Sequence, residues 1–271
     1  MNGHEFRKAL RSGQRVYGTL VVSESPLWPR AIVNSGLDFV FIDTEHTSLN
    51  RTQVAWMCQL YAANGLAPIV RLPSPDVNAA ANAIDTGAAG IIAPYVESVD
   101  VVKQLAAAVR LRPLKGQRRD DAIAGGALEP ELDNYLRSRN DRHSLVINIE
   151  SIPAIENLSD IVRVDGIDAV LIGPHDLSCS LGVPEQYDHP KFMDAVQTIF
   201  STARDAGIGA GMHYTGAVAK QIDFLNMGCN MLIHCADVTL FAMHLKNDLA
   251  EMKTVMGDAI ADTTKTDEEH I

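Results

Sequence analysis

Hydrophobic residues recur in short β-branched runs along the whole chain, at 16–22, 39–42, 68–71, 90–93, 145–150, 169–172, 208–212 and 231–234. Between most of them the apolar positions repeat every 3.6 residues, as in RTQVAWMCQLYAANG and HPKFMDAVQTIFSTARDAG. Gly65 and Gly207 stand where helix C-caps are expected. Strand and helix in strict alternation predict a parallel sheet. Eight strands in this length fit a closed (β/α)8 TIM barrel better than an open doubly wound sheet. Neither a Gly-x-Gly-x-x-Gly after the first strand nor a Gly-Lys-Ser/Thr phosphate loop is present, so nothing favours a nucleotide fold. The widest gap between strands, 96–144, carries an expected helix at 99–110, the stretch RPLKGQRRDDAIAGG and a second helix near 129–139. An insert of that size after strand four is a candidate active-site cover.

Composition narrows this further. The chain has 271 residues, 46% of them apolar, enough for one large core. Residues 1–256 read as a single barrel domain, and 257–271 as an acidic, flexible tail. The net charge of −11 argues against a nucleic-acid partner but leaves room for an anionic substrate wherever an arginine or metal ion reverses the local field. No apolar run approaches a membrane span, and the N-terminal stretch has no apolar secretory core. With four scattered cysteines (Cys58, Cys179, Cys229 and Cys235), these features predict a cytoplasmic protein with reduced thiols.

Barrel enzymes set their chemistry at the C-terminal ends of strands. In that position stand Asp43, Glu45 and His46 after strand two, Arg71 after strand three, and Asn148 and Glu150 after strand five. Strand six is followed by Gly173, Pro174, His175 and Asp176, strand seven ends at Met212 and His213, and strand eight at His234. Singly, each has an ordinary role: Asp176 as a helix cap, Glu150 paired with a surface lysine, Arg71 snorkelling to solvent. Together they crowd one rim with charge, which is costly to bury unless the groups pair or bind a metal. Glu150 and Asp176 suit a hard divalent ion such as magnesium, manganese or cobalt. Arg71 offers a planar cation for a carboxylate or a developing enolate. Asp43, three residues from His46, is expected to orient its imidazole as a base. This kit suits proton chemistry next to a carbonyl. The lysines, Lys103, Lys115, Lys191, Lys220 and Lys246 among them, fall in helices or loops, which disfavours a Schiff base.

The motifs IDTEH, PIVRLP, DTGAAGIIAPYVES, PLKGQR, INIES and IGPHDLSCSLG resemble the HpcH/HpaI aldolase family over about residues 15–249. The resemblance implies a barrel of the phosphoenolpyruvate/pyruvate-domain type. It implies a homo-oligomer, a hexamer or trimer of dimers, that exchanges C-terminal helices. A divalent metal would sit on Glu150 and Asp176, chelated by a 2-oxo acid. Gly173 and Pro174 would contact the substrate carboxylate, Arg71 would steady the enolate, and His46 backed by Asp43 would handle the aldol proton. Asp85 matches an acid near a neighbouring subunit's site. Three features depart from relatives: Asn148 stands where several carry glutamine, Arg119-Asp120-Asp121 follows GQR, and His175, His213 and His234 replace small or apolar residues. Asn148, Met212 and His213 are then candidate substrate contacts, with His213 or His234 reading a polar group on the aldehyde. The expected reaction is cleavage of a 4-hydroxy-2-oxo acid to pyruvate and an aldehyde, or its reverse. Alternatives are oxaloacetate decarboxylation, a citrate-lyase-like or malyl-CoA-like reaction, and a non-catalytic keto-acid-binding barrel.

Overall fold

A computed structural model describes residues 1–259 of the chain. The acidic tail expected at 257–271 lies mostly outside the described residues. Eight strands run in order: β1 (Val16–Val21), β2 (Phe39–Asp43), β3 (Ala67–Arg71), β4 (Gly90–Ala93), β5 (Ser144–Asn148), β6 (Ala169–Ile172), β7 (Gly209–Tyr214) and β8 (Met231–Ala236). Each pairs in parallel with the next, and β8 closes on β1, giving the (β/α)8 TIM barrel. No helix among the described residues is long and apolar enough to cross a membrane.

The strands read as continuous apolar runs because both faces are buried. Outward-facing Val40, Ile42, Val70, Ile147 and Val170 pack under the helices. Inward-facing Phe39, Phe41, Ile69, Val146 and Leu171 fill the barrel. The period of two then fixes what comes next. Continuing past Phe41, Ile69, Val146 and Leu171, it carries Asp43, Arg71, Asn148 and Gly173 onto the inward face, at the C-terminal rim.

The opposite end is sealed by a helix over Gly3–Ser12 that periodicity alone did not single out. Asn2 and Glu5 form a reciprocal capping box at its start, and Gly13 ends it in the left-handed conformation at φ 81°. Its apolar face, Phe6, Ala9 and Leu10, plugs the barrel, with the Phe6 and Phe39 rings 4.9 Å apart. Asp168, fully buried, ties the plug down. It accepts from Arg7 Nε at 2.8 Å and from the Leu145 amide at 3.0 Å, and it also pairs with Arg110.

The long insert belongs to this sealed end, which corrects its reading as a cover for the chain's own site. The helix Val99–Arg110 runs back down the barrel from the β4 rim, so everything between it and β5 lies at the strands' N-terminal ends. The helices Gly116–Ile123 and Pro130–Asn140 pack on it there. Asn140 Nδ2 donates to the Arg110 carbonyl at 2.9 Å, and Arg110 Nη1 to the His143 carbonyl at 2.5 Å. A gap measured from strand four starts at the C-terminal rim, but the chain crosses to the other face within its first helix.

The last helix, Asp237–Met256, meets the barrel at its first residue. The Asp237 carboxylate accepts from the amides of Val22 (3.2 Å) and Ser23 (3.1 Å), just past β1. Beyond that anchor, Phe241, Leu245, Leu249 and Met252 are exposed.

His143 is buried under the sealed end, its Nδ1 3.2 Å from the Ala88 carbonyl. Burial, then the positive charge of Arg142, pushes its pKa down to about 4. Above about pH 6.5 the ring is neutral in both folded and unfolded chains. Below that, the unfolded chain takes up a proton that the folded one refuses until about pH 4, so stability falls across this window as pH drops. His143→Gln should lose about 2–3 kcal/mol less than the wild type between pH 7 and pH 4 in urea titrations. Parallel pH profiles for the two proteins would assign the acid sensitivity elsewhere.

Candidate active site

The site begins with a pairing across two strands. Asp43 and Arg71 are register partners on β2 and β3, and both side chains point inward. Arg71 Nε and Nη2 donate to the two Asp43 oxygens at 2.7 Å each, with Asp43 fully buried and Arg71 8% exposed. Burial alone would raise the Asp43 pKa, but the Arg71 hydrogen bonds and charge and the Glu45 amide together hold it below the ordinary carboxylate range. Arg71 also lies over the Phe41 ring, 5.2 Å from its centroid. Its Nη1 makes no hydrogen bond among the described residues and is left to face the rim.

The turn after β2 wraps around Asp43. The Glu45 amide donates to Asp43 Oδ1 at 3.0 Å, the Thr44 amide to the Arg71 carbonyl at 3.1 Å, and the Thr47 hydroxyl bonds the Asp43 carbonyl. The Glu45 side chain folds back, Oε2 reaching 3.1 Å from Arg71 Nε and Oε1 3.6 Å from His46 Nε2. This corrects the expectation that Asp43 orients His46. Asp43 is spent on Arg71, and Glu45 is the carboxylate beside the imidazole. Closeness in sequence lost to a buried guanidinium on the next strand.

Two further carboxylates meet over Gly173. A Cβ built at Gly173 would stand 3.3 Å from both Glu150 Oε2 and Asp176 Oδ2. The backbone there is ordinary (φ −86°), so glycine is needed for space alone. Among the described residues Glu150 pairs with no lysine: Oε1 accepts the Tyr95 amide at 2.7 Å and Oε2 the Asn148 amide group at 2.9 Å. Burial, offset in part by the Tyr95 hydrogen bond, and the Asp176 charge raise its pKa. Asp176 caps nothing; it stands in the first turn of Pro174–Ser180 and is exposed. Asn148 is 1% exposed, and its Oδ1 has no partner. It acts as a brace for Glu150.

A divalent cation fits this donor set. Asp43, Glu45, Glu150 and Asp176 place four carboxylates around one guanidinium, a formal excess of three negative charges. Among the described residues no group of three or more His, Cys, Asp or Glu side chains is positioned to hold a metal. An ion on Glu150 and Asp176 would therefore complete its shell with water and substrate oxygens, as magnesium commonly does.

The remaining candidates divide. His213 points into the barrel, edge-on to Phe41 with centroids 5.6 Å apart, and its Nε2 donates to the Cys235 carbonyl at 3.3 Å. Burial, then the Arg71 charge, pushes its pKa down to about 4, so it is neutral. Met212, one residue earlier, faces outward into the helix layer, away from the barrel interior. Pro174 has no N–H to donate; the next amides of that turn belong to His175 and Asp176. The His175 side chain is exposed, Nδ1 3.5 Å from Glu185. His234 Nδ1 lies 3.0 Å from Gln221 Oε1, a bracing contact. Asp85 ends the helix Val77–Asp85 near the start of β4, where it pairs with Arg112 at the sealed end, far from its own chain's rim. Two rim residues carry no sequence signal for their roles: Glu45, at the strand tip, and Tyr95, within the APYVES motif.

Such a rim on a parallel barrel defines a carbon–carbon lyase when set beside its relatives. Residues 17–243 match the family described as HpcH/HpaI aldolase/citrate lyase, and the chain belongs to that family. The 2-keto-3-deoxy-L-rhamnonate aldolase of Salmonella gallinarum is 31% identical over 258 residues, which is 94% of this chain and 96% of its own. The crystal structure of an HpcH/HpaI aldolase from Desulfitobacterium hafniense superposes with a TM-score of 0.79 at 25% identity, over 91% of this chain and 96% of that one. That of citrate synthase SbnG gives 0.79 at 28% identity, over 93% and 98%.

Gly173→Ala should keep the fold and weaken manganese binding about 10–100-fold, because the new methyl pushes the carboxylates from their cradle. Calorimetric titration of the metal checks this; an unchanged affinity would place the ion elsewhere.

Proposed function

We propose that the protein is a divalent-metal-dependent aldolase that cleaves a 4-hydroxy-2-oxo acid to pyruvate and an aldehyde, or joins the two. The single observation that carries the reading is the convergence of Glu150 and Asp176 over Gly173, on the rim that bears Arg71 and His46. A bound magnesium, manganese or cobalt ion would supply the Lewis acidity that makes negative charge on the 2-oxo oxygen tolerable.

The rest falls to the chain's own residues. His46, half exposed at the mouth with Glu45 beside it, takes the proton of the C4 hydroxyl. The C3–C4 bond then breaks, its electron pair passing to the 2-oxo oxygen as the C4 oxygen becomes the aldehyde carbonyl. Arg71 holds a fixed positive charge next to that developing enolate. Asp43 locks the guanidinium plane, so no reorientation is needed as charge develops. Protonation at C3 completes pyruvate. The relatives named 2-keto-3-deoxy-L-rhamnonate aldolase act, by that name, on a 2-oxo acid, in keeping with this substrate class.

The exposed apolar face of Asp237–Met256 supports a second proposal, that another copy of the chain covers it in a cytoplasmic homo-oligomer, a hexamer or trimer of dimers. Phe241→Glu with Leu249→Glu should lower the molar mass in light scattering; an unchanged mass would put the subunit contacts elsewhere.

Purified protein with manganese should release pyruvate from at least one of a panel of 4-hydroxy-2-oxo acids, and chelator should abolish the release. His46→Ala should cut that cleavage about 10²–10⁴-fold. Oxaloacetate decarboxylation has no hydroxyl proton to remove and should survive. If decarboxylation is the only turnover in the wild type, the protein is a decarboxylase. No metal-dependent product at all would leave a binding barrel.

A further inference from the structure

Of the four cysteines, Cys58, Cys229 and Cys235 are buried, the usual place for a thiol, and Cys179 is exposed. It stands on the helix Pro174–Ser180, one turn after His175, whose side chain is exposed as well. Residues four apart share a helix face. Cys179 Sγ and His175 Nε2 accordingly lie 4.0 Å apart.

Behind the imidazole stands a carboxylate, with Glu185 Oε1 3.5 Å from His175 Nδ1. Its position is built into the backbone. Among the described residues three that are not glycine adopt the left-handed conformation: Tyr95 and Cys235 at φ 54°, and Glu185 at φ 57°. Strain of this kind persists only where neighbouring contacts hold it. For Glu185 the holder is Ser178, fully buried. Its hydroxyl donates to the His175 carbonyl at 2.8 Å and accepts the Glu185 amide at 3.0 Å. One serine thus ties the turn that carries the histidine to the residue that carries the carboxylate.

A carboxylate beside Nδ1 favours the tautomer that keeps its proton there, and so leaves the Nε2 lone pair on the thiol side. That is how a metal-ligating histidine is oriented by its outer partner. The two donors are nitrogen and sulfur, which suit zinc and do not suit the hard ions that oxygen ligands take. Bonds of about 2.0–2.1 Å to nitrogen and about 2.3 Å to sulfur place such donors about 3.6 Å apart at a tetrahedral metal. The present 4.0 Å separation therefore has to close by only about 0.4 Å, which two exposed side chains achieve by small rotations.

We propose that His175 and Cys179 form a second metal site, for a thiophilic divalent ion such as zinc. The thiol releases its proton to solvent as the metal–sulfur bond forms. Among the described residues no group of three or more such side chains is positioned to hold a metal, so water fills the remaining positions. The site stands independently of the aldolase reading, since it needs neither Glu150 nor a substrate.

Cobalt(II) tests it, because cobalt takes zinc's place and gives an ultraviolet sulfur-to-metal charge-transfer band that oxygen ligands do not. The full chain, with its thiols reduced and in excess magnesium to serve the rim carboxylates, is titrated with cobalt chloride. The band should rise and saturate, and added zinc should remove it. Cys179→Ser should abolish the band. His175→Ala should weaken cobalt binding at least about tenfold, since even an outer-shell partner is worth about 10–100-fold. Both positions are exposed, so the variants should keep the circular dichroism of the wild type. No band in the wild type, a band that survives Cys179→Ser, or an affinity that His175→Ala leaves unchanged would overturn the site.

Discussion

The rim depends on one buried ion pair. Removing a guanidinium from water is expensive, and Asp43 offsets the cost only because two parallel hydrogen bonds and the Glu45 amide complete its shell. Everything else at the mouth is arranged around that commitment. Glu45 is drawn toward Arg71 and so comes to lie beside His46. The Phe41 ring beneath the guanidinium also carries His213, so one aromatic side chain supports both a permanent cation and a neutral imidazole. Removing either member of the pair strands the other as an uncompensated buried charge, typically a loss of about 3–5 kcal/mol.

The rim keeps more negative charge than its own cation can balance. Asn148, Tyr95 and the missing side chain at Gly173 hold Glu150 near Asp176, where burial first and the Asp176 charge after it raise the Glu150 pKa. A fold optimised for stability alone would separate them. Their closeness is a local cost that the proposed metal ion would offset.

Much of this architecture is readable in the chain, and the misreadings share a cause. The strands stand out because burial on both faces leaves unbroken apolar runs, and 90–93 and 169–172 coincide with β4 and β6 end to end. Arg71, Glu150 and Asp176 follow from standing after such runs. What failed needed three dimensions. Asp43 finds its partner not in a near neighbour in sequence but 28 residues away on the adjacent strand. Met212 misses the interior by one step of the strand period. The insert lies at the other end because the helix Val99–Arg110 carries the chain across the barrel before it begins. The plug Gly3–Ser12 shows its cap and apolar spacing in the sequence, at Asn2, Glu5, Phe6 and Leu10, but it precedes the first strand and stands outside the strand–helix alternation. Tyr95 is conspicuous for a backbone angle that no residue type announces.

The carboxylate of Asp237 gives the final helix an unusual mechanical position. It grips the two amides just beyond β1, while the helix it begins continues directly from β8. These are the first and last staves of the barrel, and their register slips between Gly18 and Leu20. Any load on the projecting helix is thus delivered to the one seam that joins the chain's beginning to its end.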